Sequence, residues 1–151
     1  MNEEALFALM GDKAKFTKKI TIAAIVLVVV AIIVILIVKY KGKLSDTIKN
    51  RTLAESLDEE IDQDNITLTQ MQLNTYASSL YAAMKGAGTN ENKIYNVFRG
   101  LGTRSDVLQL IKTFGVKDGM TLTEWMNDDL SSKEIDKINS ILANNNINYQ
   151  F

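Results

Sequence analysis

Residues 20–38 hold nineteen positions without a charge, and Thr21 is the one polar residue among them. Lysines bracket the stretch: Lys13, Lys15, Lys18 and Lys19 before it, Lys39, Lys41, Lys43, Lys49 and Arg51 after it. As a helix it would rise roughly 28 Å, close to the hydrocarbon thickness of a bilayer. Val and Ile favour a strand in water, but hydrocarbon demands that each backbone polar group be satisfied within the segment, which a helix achieves. A buried core helix would need interspersed polar positions and less basic flanks. The sequence therefore predicts a transmembrane helix over 20–38. The run exceeds the usual signal-peptide core of about 7–15 residues, and no small-residue cleavage site follows it. A retained anchor is expected, and with it a single-pass membrane localisation.

Orientation is not set by charge, because the basic residues on the two sides nearly tie. By resemblance to ordinary signal-anchored proteins, the tail over 1–19 is expected in the cytoplasm and the C-terminal domain outside it. Within the tail, Ala5, Leu6, Phe7, Leu9 and Met10 allow one or two amphipathic turns at the interface, or a disordered tail. Residues 39–65 are charged, with widely spaced Leu44, Ile48, Leu57 and Ile61, and read as a juxtamembrane stalk. Its lysines would sit among anionic headgroups, each worth about 1 kcal/mol.

Residues 66–151 carry the pattern of a compact five-helix domain, so the expected fold class is all-α. Thr67-Leu-Thr-Gln70, Thr121-Leu-Thr-Glu124 and Ser131-Ser-Lys-Glu134 fit the capping box, each ahead of an apolar run. Leu73, Ala77, Leu80 and Met84 line one face of the first helix at helical spacing. Ile94, Val97 and Phe98 do so in the second, and Val107, Leu110, Ile111 and Phe114 in the third. Trp125, Met126 and Leu130 serve a short fourth helix, and Ile135, Ile138 and Leu142 a fifth. Gly86, Gly88, Gly100, Gly102, Gly115 and Gly119 fall between these runs, as helix ends and turns require. An Asn-rich tail, Asn144 to Asn146, then leads to Ile147 and Phe151.

Composition removes whole classes of chemistry. The chain has no His and no Cys, which excludes imidazole acid–base catalysis, thiolate chemistry, disulfides and zinc sites built on those ligands. A net charge of −1 gives no footprint for nucleic acid. Asp58, Glu59, Glu60 and Asp62 read as a solvated acidic face, and Glu124 is committed to a cap. No enzyme is expected.

The loop between the first two helices reads Met84-Lys85-Gly86-Ala87-Gly88-Thr89-Asn90-Glu91. This resembles the first loop of an annexin repeat, and the five-helix pattern fits one such repeat. In that family an acidic residue 39 positions after the Thr completes a calcium site, and position 128 here is Asp. The resemblance thus implies a metal site formed by the carbonyls of Met84, Gly86 and Gly88 with the carboxylate of Asp128. Calcium is a hard cation that takes six to eight oxygens, and a site with one carboxylate should be weak, near 10⁻⁴–10⁻³ M on the order of extracellular modules. Acidic lipid headgroups could complete it. The sequence departs from the family at Asn90, where Asp is usual, in the neighbour Asp129, and in the lengthened link around Asp118-Gly119. It also departs in having one repeat where annexins pack four or more. Single repeats of this kind resemble bacterial or phage proteins.

Two readings of function stay open. One is a membrane-presented, non-enzymatic module for lipid or protein interaction, with calcium as cofactor. The other is a structural component with protein partners in a membrane or phage virion assembly, located in a virion-associated membrane. There the glycine loop only joins two helices: Gly86 and Gly88 end one, Thr89 caps the next, and Glu91 favours its N-terminus.

Overall fold

The computed structural model describes residues 29–37 and 42–151. The chain divides into two compact units, 1–43 and 44–151. In the first, residues 29–37 are helical and exposed throughout, from Val29 to Ile37. The transmembrane helix expected over 20–38 does not stand, and the single-pass membrane localisation falls with it. Among the described residues no helix is long and apolar enough to cross a membrane. Within the described residues, the helical run over 29–37 rises only about 13 Å, under half the hydrocarbon thickness. The rest of that stretch, 20–28 and 38, lies outside the described residues, as does the tail over 1–19.

The second unit begins earlier than the sequence suggests. Helix α1 spans 42–58, and from Leu44 onward it belongs to the same unit as the five-helix domain. Leu57 and Ile61 are buried in the common core, with Leu53 packed against it. Residues 44–65 are therefore a packed part of the domain, where a stalk was expected. Exposed ion pairs at its end, Lys112 to Asp58 and Arg104 to Glu60, tie it to the helix that follows Thr103. Leu44 and Ile48, by contrast, remain exposed.

Five helices follow: α2 (Gln70–Met84), α3 (Glu91–Arg99), α4 (Arg104–Phe114), α5 (Leu122–Asp129) and α6 (Ser132–Asn144). Helix α2 packs on α3, α4 and α5, while α6 closes against α3. Their shared core includes Leu73, Leu80, Phe98, Leu110, Met126 and Ile138. Each such side chain contributes about 1.5–3 kcal/mol on burial.

Helix starts follow local chemistry, with displaced caps at α2 and at α3. Capping boxes form at Thr121/Glu124 and Ser131/Glu134, where the sequence places them. That of α2 is Thr69/Gln72, two residues later than Thr67/Gln70. Thr67 is taken by another partner, because its amide (2.8 Å) and hydroxyl (2.6 Å) both donate to Asp106. Asp106 is wholly buried at the start of α4 and also accepts from the amides of Leu68, Gly102 and Thr103. Burial alone would raise its carboxyl, but the donors, Thr67 foremost, outweigh that and hold it below the ordinary aspartate value.

Between α4 and α5 lies a short antiparallel hairpin, β1 (Val116–Lys117) and β2 (Met120–Thr121), with Val116 opposite Thr121. Asp118 (φ 50°) and Gly119 (φ 84°) form its tip. Both are left-handed, as the twist of a two-residue hairpin turn requires, and Asp-Gly is a preferred pair there. After α6 the chain turns at Asn146 (φ 58°) in a Schellman closure, with Ile147 N–H on Leu142 O and Asn146 N–H on Ala143 O, each 2.9 Å. The tail then folds back, and Phe151 meets Phe98 edge-on at 5.3 Å.

Candidate calcium site

The loop that carries Gly86 and Gly88 is built by backbone conformation. The two glycines lie at φ 130° and 94°, and a Cβ on either would meet nothing within 4 Å. Glycine is required there for the angle, not for space. Met84, just before, has its side chain fully buried and anchors the loop to the core. The loop closes where Asn90 N–H donates to Ala83 O at 2.9 Å.

The N-cap of α3 is Asn90, whose side chain accepts from Lys93 N–H at 3.0 Å. Thr89 was the expected cap, and this frees it for another contact. Its hydroxyl donates to the main-chain oxygen of Asp129 at 3.5 Å. That contact spans 40 residues and joins the loop to the C-terminal end of α5. It runs through Asp129, whereas Asp128, the expected ligand, is exposed in the last turn.

The electrostatics at this end of α5 are unfavourable as they stand. A helix C-terminus carries partial negative charge and favours cations. Here it carries Asp128 and Asp129, and no basic residue lies in the last turn. Asp129 Oδ2 is shut off from water and has no hydrogen-bond partner. Burial, then the charge of Asp128, raise the Asp129 carboxyl above the ordinary aspartate value. Among the described residues no three His, Cys, Asp or Glu side chains gather into a metal cluster. Any cation here would have to rely largely on backbone carbonyls, with one or two carboxylates. A buried acceptor without a donor is a fitting neighbour for such an ion.

Lys85, in the same loop and exposed to solvent, is nevertheless held by two partners. It donates to the Tyr81 hydroxyl at 2.5 Å and pairs with Asp118 at 3.3 Å. Tyr81 in turn donates to Asp118 at 2.7 Å. The Asp118 carboxyl is lowered by the Tyr81 hydroxyl first and Lys85 next. Sequence reasoning missed this trio, because nothing in local spacing joins Tyr81 to a turn 37 residues away.

A helical domain whose α2–α3 loop is glycine-rich and touches the C-terminal end of α5 resembles an annexin-like repeat. Comparison with known proteins agrees in part. Over 59 residues the chain is 46% identical to annexin A8 of Mus musculus and to annexin A8 of Rattus norvegicus. The match covers 38% of this chain and 17% of each relative, so it is a partial likeness that points to an annexin-like repeat. No family model matches the chain, and no solved structure matches it. Both relatives are mammalian, and neither lends support to a bacterial, phage or virion type.

Proposed function

We propose that residues 44–151 act as a non-enzymatic annexin-like module that binds calcium and, through it, an acidic lipid surface. The ligands are the carbonyl oxygens of Met84, Gly86 and Gly88 and the carboxylate of Asp128, with Asp129 beside it. The observation that carries this reading is Asp129 Oδ2, buried and without a donor, on the residue whose main-chain oxygen takes the Thr89 contact from the loop. Two carboxylates at the negative end of a helix support it, since a divalent cation turns both liabilities into attraction. The small number of carboxylates implies weak affinity, on the order of 10⁻⁴–10⁻³ M. Headgroup phosphate would fill positions the protein leaves open and so couple the ion to the membrane surface.

Vesicle co-sedimentation of the 151-residue chain tests this, with calcium varied up to the millimolar range. Sedimentation should need both calcium and acidic lipid, and Asp128→Asn should move the calcium midpoint upward about tenfold or abolish the response. Equal sedimentation with and without calcium, or on neutral vesicles alone, would leave the glycine loop as a simple helix connection.

A further inference from the structure

The hairpin between α4 and α5 is pinned from several sides. Lys117 O accepts from the Trp125 indole N–H at 2.9 Å, which ties the hairpin to α5. From α1, Lys49 donates to Gly119 O at 2.9 Å, and Asn50 Oδ1 accepts from Val116 N–H at 2.6 Å. Its tip residue, Asp118, then reaches across to Lys85 and Tyr81. Lys85 is the residue between Met84 and Gly86. The Lys85 and Lys117 ammonium groups lie 4.8 Å and 5.3 Å from the centroid of the Tyr81 ring, so the cluster is a network and not a lone surface pair.

We propose that Asp118 is a positioning residue for the loop over 84–90. It fixes Lys85 and so sets the glycine carbonyls against the end of α5, in an inference that rests on the calcium reading above. Two effects follow from one contact. The loop is tethered to the hairpin, which is itself tied to the helix that carries Asp128 and Asp129. The Lys85 ammonium is also neutralised at Asp118, where a free ammonium next to Gly86 would repel an incoming cation. The hairpin therefore braces both halves of the site.

Asp118→Gly removes the carboxylate and keeps the left-handed turn unstrained. Hydrogen exchange of the full chain without metal should show the Asn90 amide exchanging about threefold faster, a size typical of an exposed charged network. Amides in the middle of α4 should not change. Lys85→Gln should do the same, and Asp118→Asn, which still accepts from Tyr81, should fall between. In calorimetric titration with calcium alone, the midpoint of Asp118→Gly should rise severalfold at unchanged melting temperature. Unchanged exchange at Asn90 would overturn the brace, whatever calcium does. Faster exchange with no calcium heat in the unmodified chain would instead sink the calcium reading, and the positioning role with it.

Discussion

A carboxylate oxygen without water or donor is a burden at neutral pH, and Asp129 carries one. Its folded carboxyl is raised by burial and by Asp128, so the folded state holds its proton more tightly than the unfolded one. Stability is then lost as pH rises from the ordinary aspartate value through the raised one. Asp129→Asn should accordingly melt higher than the unmodified chain at pH 7 without calcium, with the gap closing near pH 4. Circular dichroism melts at the two pH values decide it, and equal melting at pH 7 would show that the orphan oxygen costs nothing. Glu124 is the opposite case. Lys49 first, then the amide and hydroxyl of Thr121, lower its carboxyl from the ordinary 4.5 to about 2. That contribution is present above pH 4.5 and fades as pH falls toward 2. Lys49→Gln should cost less than about 1 kcal/mol at pH 7, because the pair is exposed to solvent. It should also raise the Glu124 titration midpoint in carbon-detected NMR. The loop motif was legible in the sequence, since Gly86, Gly88 and Asp128 stand at recognisable spacing. The setting of Asp129 was not, because nothing local joins it to Thr89, 40 residues away.

At the level of elements, the junctions decide more than the helices. Gly115 ends α4 at φ 64°, ψ −142°, a region that side chains avoid. A Cβ there would stand 2.5 Å from Asn50 Oδ1, the atom that accepts the first amide of β1. Gly115→Ala should therefore destabilise by about 1–3 kcal/mol and loosen α1 from the hairpin together. Denaturant unfolding measures the first effect and exchange in residues 44–58 the second. Apolar periodicity gave α2 to α6 because it is local and repeats every turn. The displaced start of α2 was illegible because Thr67 and Thr69 each precede a Gln by three, and only Asp106, 39 residues on, chooses between them. The hairpin carried a readable sign in Asp118-Gly119, but strands of two residues show no alternation. Leu53, Leu57 and Ile61 stand at i, i+4 spacing, but among so many charges the apolar positions of this stretch read as widely spaced and predict a stalk.

For the molecule as a whole, the boundary at Leu44 has consequences for stability. Leu57 and Ile61 each contribute about 1.5–3 kcal/mol by burial, a large share of the 5–15 kcal/mol typical of a domain. A chain trimmed to start at Ile66 should unfold at markedly lower denaturant than one starting at Leu44, with a smaller slope. Equal midpoints would return 44–65 to the status of a stalk. The packing around Trp125 adds one more property. It is the sole tryptophan of the chain, with its indole N–H on the hairpin and Tyr81 edge-on at 5.6 Å. One fluorophore thus stands where α2, the hairpin and α5 meet. The protein carries a built-in optical gauge of the contact that braces its loop, readable by emission wavelength without a label.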